Sequence, residues 1–299
     1  MAGHHPHHHH DHDRGGTHLD WEVLGPLLES HAEISTPLLE QAIGWLRGLT
    51  APGAGTVGEV WDVGSGPGVA ACLFAQALPA ARVLAVDGED ALLRRTRERA
   101  ARTGVADRLG TLRADLPDGL PAGQADLIWT SRTLHHVGDQ RGAVATLAER
   151  LRPAGLLAVV EGGLPARRLP RDIGIGRPGL EARLDAATED WFSRMRAEVP
   201  GAKETVEDWP ALLAAAGLEQ VRSRTFLLDL PAPLDVSVRS YLRAELTRTR
   251  EGLQDVLDAE DLATLDRLID PDDEAGVLRR PDVFLLSAQT VHTGVRPAA

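Results

Sequence analysis

Val60-Trp61-Asp62-Val63-Gly64-Ser65-Gly66-Pro67-Gly68 runs from a short apolar strand straight into a turn with glycine at every second position. Glycine tolerates the left-handed backbone that a sharp turn demands, and without a Cβ it lets a ligand approach the main chain. The residues that follow, Val69 to Leu78, read as a helix. The first N–H groups of a helix lack intrahelical partners and carry the positive end of its dipole, which favours a polar ligand. Nucleotide-binding sheets of several kinds share such a turn, so its surroundings must decide among them.

Downstream, short apolar runs alternate with helical patterns. Strands are expected at Glu59–Val63, Arg82–Asp87, Leu109–Arg113, Asp126–Thr130 and Leu156–Glu161, with helices at Asp90–Thr103 and Gln140–Leu151. Such alternation means a parallel sheet with both faces covered. Gly104 suits the C-cap of the helix before it. The second half is less regular. Helices are expected at 179–197, Glu207–Ala216, Val236–Gly252 and Asp258–Ile269, and strands at Val221–Leu228 and Val283–Val291. Upstream, Leu19–Ser30 and Thr36–Leu49 have helical spacing, with Thr36 as N-cap and Pro37 at the first helical position. Thr50–Val57, with Pro52, Gly53 and Gly55, reads as a linker.

In an open α/β sheet the ligand lies beyond the carboxyl ends of the strands. Here those ends carry polar residues in series. Asp87 ends the second strand, about 20 residues past the glycines, where an acid can accept ribose hydroxyls. Asp115 follows the third strand, where a carboxylate and nearby N–H groups suit an adenine edge. Thr130, Ser131 and Arg132 end the fourth. One acid alone would read as a cap or a solvated side chain; a polar site after each successive strand does not.

This set resembles the class I S-adenosylmethionine (SAM)-dependent methyltransferases of the bacterial small-molecule type. The resemblance rests on the glycine stretch, Leu84-Ala85-Val86-Asp87, Arg113-Ala114-Asp115-Leu116 and Asp126-Leu127-Ile128-Trp129-Thr130-Ser131. Leu134-His135-His136-Val137 and Leu151-Arg152-Pro153-Ala154-Gly155-Leu156-Leu157 extend it. It is strong over residues 57–163 and a matter of pattern beyond. It implies a doubly wound seven-stranded sheet of order 3-2-1-4-5-7-6 with strand seven antiparallel. It also implies that Gly64, Ser65 and Gly66 meet the methionine end of SAM and that Asp62 holds its amino group. Asp87 would take the ribose, Asp115 and Leu116 the adenine, and Ser131 would lie beside the cofactor.

A hydroxyl or ammonium acceptor would need a general base. The candidates are His135 and His136 after the fourth strand, Glu161 at the end of the fifth, and His31 in the N-terminal helices. Helix capping explains the histidine pair equally well. For the acceptor pocket the candidates are Trp21, Trp191, Tyr241 and Arg239. The apolar ones serve as well as core. Arg239 and Arg243, one helical turn apart, suit an acidic acceptor or a solvated face.

The expected activity is methyl transfer from SAM to a small-molecule acceptor, with O-methylation favoured. An NAD(P)-dependent oxidoreductase is the first rival, but the turn is G-x-G-x-G rather than G-x-G-x-x-G. A SAM-binding protein without catalysis is the second. A formal net charge of −12 weighs against nucleic acid as a partner. So does the absence of Asn-Pro-Pro-Tyr or Pro-Cys after the fourth strand.

At 43% hydrophobic and 25% charged, the chain suits a soluble globular protein. No apolar run approaches the ~18 residues of a membrane span. The N-terminus lacks the basic and then apolar pattern of a signal peptide, so a cytoplasmic bacterial protein is expected, monomer or homodimer. The single cysteine, Cys72, excludes an internal disulfide and falls on an apolar helix face. Residues 1–17, with seven histidines between His4 and His12, read as a disordered tail. Clustered imidazoles bind transition metals in vitro, but no resident metal is expected. A helical lid is expected over 18–52 and a methyltransferase domain over 53–297, with lid insertions near 165–203 and 232–280.

Overall fold

The computed structural model describes residues 21–50 and 57–298, without the side chains of residues 22 and 23. The histidine-rich tail, the expected start of the first helix at Leu19 and most of the linker lie outside the described residues.

Two helices come first, α1 (Trp21–Ile34) and α2 (Thr36–Thr50). The α1 helix runs past Ser30 and turns into α2 through a one-residue corner at Ser35. The Ser35 N–H donates to the His31 carbonyl, and its own carbonyl accepts from Leu38 and Leu39. The residue at the cap position of α2 is therefore Ser35, one position before the expected Thr36. The central alternation is β1 (Glu59–Val63), α3 (Val69–Ala77), β2 (Arg82–Asp87), α4 (Asp90–Arg102), β3 (Leu109–Arg113), β4 (Ala125–Ser131), a 3-10 turn (Leu134–His136), α5 (Gln140–Glu149) and β5 (Leu151–Arg167). The rest is α6 (Leu180–Glu198), α7 (Trp209–Ala215), β6 (Glu219–Leu230), α8 (Val236–Gly252), α9 (Ala259–Ile269) and β7 (Leu285–Val295).

The seven strands form one sheet of order β3-β2-β1-β4-β5-β7-β6. The first five pair in parallel, and β7 runs antiparallel to both β5 and β6. The sheet order and the antiparallel strand are those the resemblance implied. The outer strands are longer than expected. Pairing with β7 carries β5 on to Arg167 through register shifts between Val160 and Gly163 and between Leu164 and Arg167. Gly163 has φ +127°, and a Cβ there would collide with the Ala288 carbonyl.

Apolar layers cover both faces of the sheet. The larger joins α2 and α3 to the C-terminal helices; fully buried Phe74 and Trp129 meet edge-to-face within it, centroids 5.5 Å apart. The other sets α5 and α7 against Trp61, Ile128 and Leu157. Each fully buried large side chain contributes about 1.5–3 kcal/mol relative to exposure.

Ionic and polar clasps fix the helical additions. Glu29 of α1 accepts from Arg95, Arg99 and Arg102, one face of α4. Arg168, just past β5, holds Glu181 of α6 and Glu245 of α8. Asp258 caps α9 by accepting from the Asp261 N–H. Among the described residues no helix is long and apolar enough to cross a membrane.

Candidate active site

The glycine turn leaves β1 against β2: the Gly64 and Ser65 N–H groups both donate to the Val86 carbonyl. Gly64, Gly66 and Gly68 all have positive φ, at 72°, 55° and 75°. Two of them are packed tight. A Cβ at Gly64 would collide with Thr133 and one at Gly68 with Thr96, whose hydroxyl donates to the Gly66 carbonyl at 3.1 Å. Gly66 differs. A Cβ there would meet nothing within 4 Å, so this glycine faces open space. The turn is thus braced on both sides and bare in the middle.

Asp87 supports the turn from β2. One carboxylate oxygen accepts from the Gly66 N–H at 2.8 Å, the other from the Glu89 N–H at 2.9 Å. Burial pushes its carboxyl upward, opposed by those two bonds. Asp62 sits beneath, 2% exposed. Burial, then the charge of Asp87, pushes its carboxyl up to about 7. Its Oδ2 has no hydrogen-bond partner, and neither does the buried hydroxyl of Ser65. A buried polar atom without a partner is costly, so these two atoms call for a ligand carrying donors.

A cleft of about 220 Å³ opens over this floor. Gly64, Asp87, Asp115 and Leu116 line it, with Gly88, Thr133 and His136. Four of the eight residues expected to hold the cofactor therefore share one wall. Gly66, Ser65 and Asp62 adjoin it through the turn, and Ser131 ends β4 one residue before Arg132, whose N–H donates to the Val160 carbonyl of β5. The donor set fits the cofactor the sequence implies: a lone carboxylate oxygen for an ammonium and acidic groups for a diol.

The four base candidates lie in different settings. Glu161 is 7% exposed and heavily engaged. Its Oε1 accepts from the Thr133 and Leu134 N–H groups at 3.0 and 2.9 Å, and its Oε2 meets His135 Nδ1 at 3.0 Å. It holds together the turn that carries the histidines. The His135 ring also packs on Phe192 of α6, centroids 5.6 Å apart. Its carbonyl, with that of Val137, accepts from Arg196. His136 reaches the cleft and keeps an exposed edge. The protein crowding its ring, then the neighbouring His135, lower its basicity.

His31 lies on α1. Its Nε2 stands 3.3 Å from Arg132 Nη1 and its Nδ1 3.1 Å from the Tyr241 hydroxyl. Burial, then the Arg132 charge, brings its pKa down to about 4, so the ring is neutral near pH 7. Arginine can only donate. Nε2 therefore carries the lone pair, and the remaining proton sits on Nδ1, aimed at Tyr241. That orientation leaves the Tyr241 O–H for another partner. Burial and Glu245 raise the Tyr241 pKa, so the hydroxyl stays protonated.

The other acceptor candidates are not brought together. Tyr241 is buried beside His31. Trp21 is half-buried at the start of α1. Trp191 is 46% exposed on α6, while its neighbour Phe192 turns inward. Arg239 spends its donors on the carbonyls of Leu234, Val277 and Arg280, and Arg243 donates to that of Ile269. Arg239 thus ties α8 to the segments before and after the C-terminal helices, and Arg243 ties α8 to the end of α9. Sequence reasoning missed Thr96, Thr133 and Gly88 because each acts through packing against the turn or its acids.

A family model described as a methyltransferase domain matches residues 60–155. Trans-aconitate 2-methyltransferase of Paracidovorax citrulli is 33% identical over 205 residues, 64% of this chain and 76% of its own length. Ribosomal protein L11 methyltransferase of Symbiobacterium thermophilum is 33% identical over 172 residues, 57% of this chain and 46% of its own. An O-methyltransferase family protein from Burkholderia thailandensis shares the fold at 14% identity with a TM-score of 0.52, over 94% of this chain and 61% of its own. The chain spans 24%, 55% and 46% of the lengths of three curated relatives it matches.

Proposed function

The chain belongs to the class I SAM-dependent methyltransferases, and from that premise we propose that it esterifies a carboxylate of a small organic acid. Bound SAM supplies a methyl group on a positively charged sulfur, which an acceptor oxygen takes while the sulfur keeps the bonding pair. Asp62 and Ser65 hold the methionine end through Oδ2 and the hydroxyl, two of the five buried side-chain atoms without a partner among the described residues. Asp87 holds the ribose, and Asp115 with Leu116 the adenine. The glycine turn keeps the main chain close enough for those contacts.

The observation that carries the choice of acceptor is the state of the four base candidates. His31 and Glu161 have their acceptor atoms engaged, His135 is paired with Glu161, and His136 has lowered basicity. An alcohol, phenol or ammonium acceptor has to lose a proton. A carboxylate is already ionised at neutral pH and needs only alignment and exclusion of water. Relatives in three organisms are named trans-aconitate 2-methyltransferases, which agrees with an acid as acceptor.

The test is proton balance. A panel of di- and tricarboxylic acids, trans-aconitate among them, is offered with SAM in weakly buffered solution at pH 7.5. Methyl ester and S-adenosylhomocysteine are expected in equal amounts with no proton released. An ether or N-methyl product, with one proton released per turnover, overturns the proposal.

A further inference from the structure

Arg132 is set apart from the other arginines of the site region by its backbone and by its partner. It stands between Ser131, which ends β4, and Thr133, which lines the cleft. Its φ is +53°, a left-handed conformation that costs a side-chain-bearing residue roughly 1 kcal/mol or more. This turn aims an exposed guanidinium across to α1. There one N–H reaches His31 Nε2, and among the described residues the side chain has no other partner. Arg167, Arg168 and Arg183 nearby are bonded to carboxylates, and Arg196 and Arg239 to carbonyls.

Partner chemistry gives this meaning. His31 is neutral and accepts one bond, so it orients the guanidinium without neutralising it. Glu245, whose charge His31 and Arg132 both feel, is held by Arg168 at 2.8 and 3.1 Å. Tyr241 meets the far nitrogen of His31 and so fixes the ring that orients the fork. A positive fork with unused donors is matched by an anionic oxygen pair.

We infer that Arg132, oriented by His31, anchors a second carboxylate of the acceptor, distinct from the one that is methylated. The inference rests on the esterification reading and adds its substrate class: acids with at least two carboxylates. The cofactor's own carboxylate is the competing anion, because Val63 pairs with Thr130 and Thr133 packs beside Gly64, and the test below separates the two. His31 is a positioning residue here.

The test is calorimetric, so it does not depend on turnover. S-adenosylhomocysteine is titrated into wild type, Arg132→Gln, Arg132→Lys and His31→Phe. Trans-aconitate, citrate and the monocarboxylate crotonate are then titrated into each saturated protein. Arg132→Gln is expected to bind S-adenosylhomocysteine within about twofold of wild type, which also reports an intact fold. Its affinity for the polycarboxylates should fall about tenfold or more, the worth of a charged hydrogen-bond pair, with crotonate unchanged. Arg132→Lys should recover part of that loss, and His31→Phe should show a smaller loss. The inference is overturned if S-adenosylhomocysteine binding falls tenfold, which assigns Arg132 to the cofactor. Equal loss for crotonate, unchanged polycarboxylate affinity, or a wild type that binds neither polycarboxylate also overturns it. If the acids bind through Arg132 but are not methylated, the esterification reading fails and the anchor stands.

Discussion

Asp62 on β1 and Asp87 on β2 project from the same face of the sheet, because Asp62 is in register with Ala85 and Asp87 lies two residues on. Burial and this neighbour together hold the Asp62 carboxyl up to about 7. An ammonium arriving at its lone oxygen would favour the ionised form. Cofactor binding should therefore release up to one proton near pH 6, and affinity should fall as pH drops below about 7. Calorimetry in buffers of different ionisation enthalpy reads the proton count. Asp62→Asn should weaken binding and remove the pH dependence.

The same raised pKa sets a stability term. Asp62 contributes fully below the unfolded value near 4, and the contribution is lost as pH rises through about 7. Above that, the ligand-free protein keeps a buried charge with an unpaired oxygen. Ligand-free Asp62→Asn should therefore be more stable than wild type at pH 8, by on the order of 1–2 kcal/mol, and this gain should shrink at pH 5. Urea unfolding at the two pH values checks it.

The three turn glycines should fail in different ways. Gly64→Ala and Gly68→Ala add left-handed strain and a collision with Thr133 or Thr96, so a loss of about 2–4 kcal/mol is expected. Gly66→Ala meets no atom and should cost about 1–2 kcal/mol. Its methyl group intrudes on the open side, however, so cofactor affinity should drop more than stability does. Denaturant titration beside S-adenosylhomocysteine calorimetry separates the two.

Glu161 offers a contrast between a positioning acid and a base. Glutamine keeps an oxygen for the Thr133 and Leu134 N–H groups, so Glu161→Gln should retain most turnover. Glu161→Ala leaves those groups unpaired and should lose about 1–3 kcal/mol of stability along with much of the turnover. Inactive Glu161→Gln with normal stability would restore the acid as a base.

The clasp between α1 and α4 should be visible in salt and acid. Burial works to raise the Glu29 pKa, but Arg99, Arg95 and Arg102 lower it overall. The clasp is therefore present above the ordinary carboxylate range and is lost as pH falls through the depressed value. Glu29→Gln should cost about 1–2 kcal/mol and speed hydrogen exchange in α1 first. Unchanged exchange there would show that packing alone holds the helix.

The parallel half of the sheet was readable because its strands are short runs closed by a glycine, an acid or small polar residues, a purely local signal. Gly64, Asp87 and Asp115 stood out for the same reason, as each ends its own strand. The outer strands were underestimated because β5, β6 and β7 extend through mutual pairing across distant segments, which no local pattern records. Arg239 misled because its helical spacing from Arg243 is visible in sequence, while the carbonyls of Val277 and Arg280 that claim it are not. Arg132 could be named as a strand end, but its left-handed backbone and the reach to His31, 101 positions away, belong to the folded chain.

Arg168 stands at the first position beyond the longest strand, and α6 and α8 both answer to it through Glu181 and Glu245. Two helices thus share one peg on a rigid arm, while the glycine turn and its acids are assembled from other strands. If those helices form the acceptor pocket, heritable change can rework them without disturbing the glycine turn and its acids. Exchange of residues 169–282 between kindred chains is expected to move acceptor choice with the segment, which activity against a panel of acids would read.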